Sequence, residues 1–358
     1  MAAQTSETRN YNALLSTTLE NWSKTIGDTI TSSLFFWYML KRSGMWTPIT
    51  GGLGERAKYP LRTDNNSADT FSGWDQIPVI PMSGITAVFY NWCQMASTIA
   101  INGLEKRQNA GEFQMVNLLG EKTQQTMDGL LELFDKATLQ GNGVNSTTAI
   151  TTAYTSPLNG SLWVTPLPLL VGQTPTSGTV GSLACNTTND DGVSIWANQK
   201  RAATDTNFAS MLADLAGLRN DCTRGVGGPP DAHLVDQATA ECYEKALRSF
   251  HHNMDYKRAD IPFDNIAFHG APVVWDEYMP NWSGATTVQS TTQGTWLMLN
   301  SKFLDFKYDS ETNFKTTPFQ EPENQDGMSA KVLIYCTLGT NNRRKHGVLS
   351  DINTTLTS

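Results

Sequence analysis

An α+β fold follows from three stretches of this sequence. The longest helical pattern runs from Asn109 to Gln140, the strand-like segment 85–103 feeds it, and strand patterns return after Trp296. A strand leading into such a helix, with later strands rejoining the same sheet, predicts a helix-on-sheet slab. Between them, at about 150–290, strand and helix patterns alternate, which predicts a separate α/β subdomain.

The long helix carries the clearest pattern. Asn109 suits an N-cap, and Glu112 three residues later completes a capping box. Val116, Leu119, Met127, Leu130, Phe134 and Ala137 then fall on one helical face, and Leu118, Leu131 and Leu133 widen it. Gly141 and Gly143 supply the stop. Such a helix spans roughly 45 Å, longer than a compact core requires, and reads as a strut more than as part of a pocket.

Taken in order, residues 1–44 read as a polar arm followed by helix, with Leu14, Leu15, Leu19, Trp22, Ile26 and Ile30 at helical spacing. That helix either docks on its own body or reaches a neighbour. Residues 45–84 read as a long hairpin, with extended segments around the polar tip Thr63–Thr70. It holds too little apolar material for a core of its own and should project. Residues 85–103 are rich in β-branched and aromatic side chains and form one or two strands. Residues 144–195 are loops and short strands. From 197 the pattern turns helical through Phe208, Met211, Leu212, Leu215 and Leu218, and the turn Gly225–Pro230 ends it. His233–Val235 is a short strand, and Asp236 caps a helix from 237 to 250. The strands after Trp296 are expected to rejoin the sheet beside the long helix.

Composition narrows the function classes. The chain has 358 residues, of which 39% are hydrophobic and only 17% charged, below the usual quarter. Thr, Ser, Asn and Gly fill the gap, a mix that suits strands, turns and polar contact surfaces. Ten tryptophans suit surfaces that bury one another. A net charge of −8 argues against tight wrapping of nucleic acid. The longest apolar run, Leu34–Leu40, is too short to cross a membrane. The five scattered cysteines include no CxxC, so neither a zinc site nor a disulfide framework is indicated, and a reducing cytoplasm is expected.

No motif carries chemistry. Gly51-Gly-Leu-Gly54 lacks the Lys-Ser/Thr of a phosphate loop and no helix starts after it. Gly120-Glu-Lys-Thr123 lies inside the long helix. His251, His252 and Asp255 read as a polar loop, since no i, i+4 partner supports a metal. Glu321, Glu323 and Asp326 depart from calcium-loop spacing. No nucleophile elbow is present, and no cysteine has a histidine nearby in sequence. No catalytic residue, metal or cofactor is therefore assigned. Arg343-Arg344-Lys345-His346 is the dense basic patch, and a salt bridge to a neighbouring subunit or a solvated turn explains it best.

The order of parts is more telling than any motif. The stretches LLSTTLENWSKTI near the N-terminus, GLEKRQNAGEFQMVNLLGEK at 103–122, FHGAPVVWDE at 268–277, NFKTTPFQEPENQD at 313–326 and NRRKHGVL at 342–349 occur in one order across nearly the whole chain. In that order the sequence resembles the major capsid proteins of tailed double-stranded DNA bacteriophages, of the Hong Kong 97-type fold. The resemblance implies an N-terminal arm at 1–44 and an extended β-hairpin loop at 45–84. It implies a peripheral domain at 85–149 with spine helix 109–140, an axial domain at 150–290, and strands returning to the peripheral domain at 291–358.

The same resemblance implies a non-enzymatic shell subunit of the virion, assembled in the host bacterial cytoplasm as hexamers and pentamers. It implies packaged double-stranded DNA on the inner face without sequence-specific binding, a portal, a possible cement protein, and no membrane. A long charged N-terminal region is missing, so a separate scaffolding protein is expected. Arg56, Lys58, Arg62 and Trp74 on the hairpin, Arg107 beside the helix, and Arg343 with Arg344 are the expected intersubunit contacts. An encapsulin-like nanocompartment shell is the nearest alternative, and a soluble α+β enzyme with a site between two subdomains is a more distant one. Covalent cross-linking through Lys58 and an Asn elsewhere, found in some relatives of this family, is the weakest alternative.

Overall fold

The computed structural model describes residues 36, 40–41, 44–64, 70–76, 84–108, 118–140, 164–189, 192–204, 207–250, 266–279, 282–283, 286–289, 293–321, 323 and 326–356. The first elements are β1 (Trp46–Ile49), β2 (Ala57–Arg62), β3 (Ile85–Tyr90), β4 (Cys93–Asn102), a short helix α1 (Gly103–Gln108) and the long helix α2 (Leu118–Gln140). The middle of the chain holds α3 (Leu167–Leu170), β5 (Thr179–Val180), β6 (Leu183–Ala184), β7 (Gln199–Ala202), α4 (Phe208–Thr223), β8 (Ala232–Val235) and α5 (Gln237–Phe250). The rest is β9 (Ala267–Phe268), β10 (Ala271–Trp275), β11 (Trp282–Ser283), β12 (Thr286–Gln289), β13 (Gln293–Leu299), β14 (Leu304–Asp309), β15 (Lys315–Thr316), β16 (Gly327–Thr340) and β17 (Gly347–Asn353), with a 3-10 turn at Arg343–Lys345 before the last.

The first sheet is organised by β16. Along one edge it pairs antiparallel with β4, from Gly327↔Asn102 to Cys336↔Cys93. Along the other edge it pairs with β15 and then β14, and β1 lies parallel to β14 outside it. Alternation sends Ala330, Val332, Ile334, Cys336 and Leu338 to the face that α2 covers, with Met95 and Ile99 of β4 beside them. Leu130, Phe134 and Ala137 of α2 enter the same core. The Phe134 ring stands edge-on to Phe306 at 5.1 Å, and Trp46 stacks on Phe306 at 4.3 Å.

The second sheet runs β7-β17-β13-β8-β10-β9, with α4 and α5 on one face. Asn207 caps α4 in a reciprocal pair with Ser210, and Asp236 caps α5 by accepting from the Thr239 N–H at 3.1 Å. His233, Val235, Trp296 and Met298 point toward the helices, whereas Leu234, Leu297 and Leu299 point into the core shared with the first sheet. One continuous interior therefore joins the two sheets.

Several boundaries differ from the sequence reading. Residues 291–358 do not all return to the first sheet: β13 and β17 are inner strands of the second. Both faces of β13 are apolar, and a strand buried on both sides has to be flanked and covered. Within the 45–84 segment, Trp46–Ile49 joins the first sheet, and the hairpin partner of β2 is β3, which lies beyond 84. The helical pattern predicted from 197 starts at Phe208, because Gln199–Ala202 pairs with β17. Asn109 and residues 110–117 of the long helix lie outside the described residues, as does most of the predicted N-terminal helix. At its end, Phe36 and Leu40 are helical and buried in the shared core.

Candidate functional site

The feature that distinguishes this molecule is the two-stranded hairpin β2–β3, which pairs with no other strand among the described residues. Its strands are in register from Ala57↔Tyr90 to Arg62↔Ile85. Ala57, Tyr59 and Leu61 face inward while Lys58, Pro60 and Arg62 face out. Pro60 is tolerated because its strand is paired on one side only.

Two tyrosines root the hairpin. Tyr59 donates to Asp305 at 3.2 Å, and Tyr90 donates to the Thr340 carbonyl at 3.0 Å. Their rings meet edge-to-face at 5.7 Å over Gly339, where an added Cβ would come within 2.9 Å of both rings. Only glycine lets the hairpin lie this close to β16. This cover explains why β16 is buried on both faces from Cys336 to Thr340. Burial, together with Asp305 beside Tyr59, holds both phenols above their ordinary range, so they remain donors.

At its far end the hairpin closes through the Thr63 N–H, which donates to the Gly84 carbonyl at 2.8 Å. Residues 70–76 of the loop beyond it form a turn in which Ser72 N–H donates to the Asp75 carboxylate at 2.8 Å. That turn holds Phe71 and Trp74 in solvent, and Trp74 is fully exposed. Beside the closed end lies a cavity of about 540 Å³ lined by Arg62, Asp64, Ile195, Val226, Phe303 and Arg344, among others.

Solved structures share this architecture. The chain matches the cyanophage A-1(L) capsid subunit with a TM-score of 0.62 and 13% identity over 95% of this chain and 99% of that one. It matches the capsid protein of Myoviridae phage XM1 with a TM-score of 0.58 and 13% identity over 93% and 97%. The chain has the Hong Kong 97-type capsid fold. The same fold is seen in the SrpI encapsulin of Synechococcus elongatus PCC 7942, matched with a TM-score of 0.55 and 12% identity over 98% of both chains. No family model matches the sequence, and no curated protein does either.

On this capsid fold the seven expected contact residues scatter. Arg56 and Lys58 are on the hairpin, Arg56 beside Glu55 at 3.6 Å and Lys58 over the Phe89 ring at 5.5 Å. Arg107 is exposed on α1. Arg62 and Arg344 are brought to one cavity, and Trp74 is fully exposed on the 70–76 turn.

Arg343 is a correction. It is only 2% exposed and cannot reach a neighbour. Its guanidinium donates to the carbonyls of Leu170 at 2.8 Å and Trp196 at 2.8 Å, to Asn198 Oδ1 at 3.1 Å and to Cys185 Sγ at 2.8 Å. It pins the 164–198 segment to the body. Lys345 is likewise buried, donating to the Thr223 and Arg224 carbonyls at the end of α4, where a cation complements the helix dipole. His346 is buried and accepts from the Asn300 N–H at 3.2 Å, and desolvation pushes its pKa down to about 3. A basic cluster in sequence is thus mostly interior wiring, with Arg344 alone facing the cavity.

Sequence reasoning also missed Val226, which it read only as part of a helix-ending turn. Its exposure follows from the left-handed Gly225, Gly227 and Gly228 that flank it. The Gly51–Gly54 turn leads into strand β2, so no helix N-terminus offers amides to a phosphate. His251, His252 and Asp255 lie outside the described residues. Among the described residues no three metal-ligating side chains cluster, and no helix is long and apolar enough to cross a membrane.

Proposed function

We propose that this chain is the major capsid protein of a tailed double-stranded DNA phage. It acts as a structural, non-enzymatic subunit that self-assembles into the icosahedral shell around the genome. The observation that carries this reading is a body that matches phage capsid structures over nearly the whole of both chains, with a separate hairpin whose outer loop carries the exposed Phe71 and Trp74. The hairpin's inner face packs on its own sheet, against the expectation that it projects, so its outward cations and the exposed Phe71 and Trp74 are what it offers a neighbour. Many such contacts, each weak, give avidity once a shell closes. The first sheet and α2 serve as peripheral domain and spine, and the second sheet serves as axial domain.

Arg56, Lys58, Arg62, Trp74 and Arg107 supply contacts between subunits in this reading, within hexamers and pentamers. The net charge of −8 suits an inner wall that contains DNA without gluing it. Scaffolding, portal and cement proteins are the expected partners, and host cytoplasm the place of assembly.

Electron microscopy of the purified protein, alone and with its neighbouring genes, tests the proposal. Uniform closed shells are expected, and small discrete oligomers under both conditions would overturn it. The likeness to the SrpI encapsulin favours a second reading, a nanocompartment shell. Nuclease-protected DNA inside particles made in infected cells supports the phage shell. Particles that hold a protein cargo and no DNA support the nanocompartment.

A further inference from the structure

We infer that the Phe71–Asp75 turn of one copy docks, through Trp74, into the cavity beside Arg62 and Arg344 of a second copy. The inference rests on the shell reading and adds an acceptor for the loop. A lone chain leaves both halves of the contact open. Trp74 is fully exposed and Phe71 two-thirds exposed, on a turn stiffened by the Ser72–Asp75 hydrogen bonds at 2.7 and 2.8 Å. Two large aromatics held together in water make an apolar patch that a partner can cover, and tryptophan is enriched among the residues that anchor protein contacts.

The cavity suits that anchor. At about 540 Å³ it lies within the range of roughly 300–1,000 Å³ that receives compact ligands. Its walls are mixed: Leu61, Ile195, Val226 and Phe303 supply apolar surface, and Val226 is itself 92% exposed. Arg62 and Arg344 supply two cations against the single carboxylate of Asp64. Guanidinium groups stack on indole faces, and the acidic Asp75 beside Trp74 meets a net positive wall. Knob and hole are different residues of one chain, so the contact is head-to-tail, and a shell requires that its rotation close into a ring.

Mixed singly substituted subunits test the docking. All five native cysteines are buried, so a new surface thiol stands alone. Trp74→Cys subunits are co-assembled with Val226→Cys subunits, oxidised and run without reductant. Disulfide-linked dimers are expected only when both variants are present. Wild-type shells that form normally, with no dimer in the mixture, overturn the docking and leave the shell reading standing. A doubly substituted chain that cross-links only within itself, as a fast-migrating monomer, also overturns it. A wild-type protein that forms neither shells nor rings, with no dimer in the mixture, overturns both. Trp74→Ala is expected to raise the subunit concentration needed for assembly by about tenfold or more, and Trp74→Phe to restore part of it. Unchanged assembly in Trp74→Ala would overturn the docking as well.

Discussion

The buried carboxyl groups of Asp135, on α2, and Asp276, just after β10, are neighbours between the long helix and the second sheet, close enough for each to act on the other's proton. With both ionised, neither Asp135 oxygen has a hydrogen-bond partner, whereas a proton on Asp135 gives it one to donate toward Asp276. Asp276 also accepts from the backbone N–H groups of Phe36 at 3.4 Å and Tyr278 at 3.0 Å. Three segments far apart in sequence are thus tied at one proton. Beside it, Tyr278 donates to Glu132 at 2.8 Å and lies under Lys136.

This pair makes stability depend on pH. Burial, then the neighbouring Asp276, pushes the Asp135 pKa up to about 9. An unfolded aspartate titrates near 3.9. Between those values the folded chain holds a proton that the unfolded chain has lost, so stability falls as pH rises from about 4 to about 9. Asp135→Asn donates without a proton to lose. Thermal melts from pH 5 to 9 are expected to slope downward for the wild type and to flatten for Asp135→Asn, which is the more stable at pH 8. Parallel slopes would refute this.

Arg343 stabilises without touching a partner. Arg343→Ala leaves several buried carbonyls unpaired, at roughly 1–3 kcal/mol each. Arg343→Lys does not restore the loss, because an ammonium cannot match the guanidinium fork. Denaturant unfolding should place both variants at least about 3 kcal/mol below wild type. A loss under 1 kcal/mol in both would return Arg343 to the surface contacts.

Gly339 and Tyr90 set how closely the hairpin seats. Gly339→Ala drives a methyl group into both tyrosine rings and is expected to cost about 1–3 kcal/mol. Tyr90→Phe loses one bond to Thr340, worth about 1 kcal/mol. Hydrogen exchange should rise in β2 and β3 for both variants and stay unchanged in α4, which packs on the other sheet. Uniform loosening across the chain would argue against a local anchor.

The outward cations of the hairpin are expected to act between subunits. Reversing Arg56 and Lys58 together to Glu should hinder assembly at low salt. The defect should shrink near 1 M salt, where the screening length is about 3 Å. A defect that does not change with salt would assign these residues to folding instead.

Much of the fold was legible from local spacing. The stripe Leu130, Phe134, Ala137 placed one face of α2 on a sheet, Asp236 marked the start of α5, and the polar tip after Arg62 marked a hairpin. The candidate site was less so. Hairpin charges could be named from the sequence, yet the cavity that gathers Arg62, Val226, Phe303 and Arg344 draws on segments with no shared signature. The tyrosine root was illegible for the same reason, since Tyr59 and Tyr90 gain their meaning from Gly339 and Asp305 across the chain.

Sequence alone determined where the main helices lie and which of their faces are apolar, because those follow from spacing within a few turns; it misread Gln199–Ala202, whose pairing is non-local. Tertiary structure decided which sheet each strand joined and whether a charge is surface or wiring. β13 and β17 were assigned to the second sheet only by the apolar surfaces available on both their faces. Arg343 became an interior strut because its acceptors come from Leu170, 173 positions away. The desolvation of a charge depends on whatever the fold packs around it, and neighbours that distant leave no local trace.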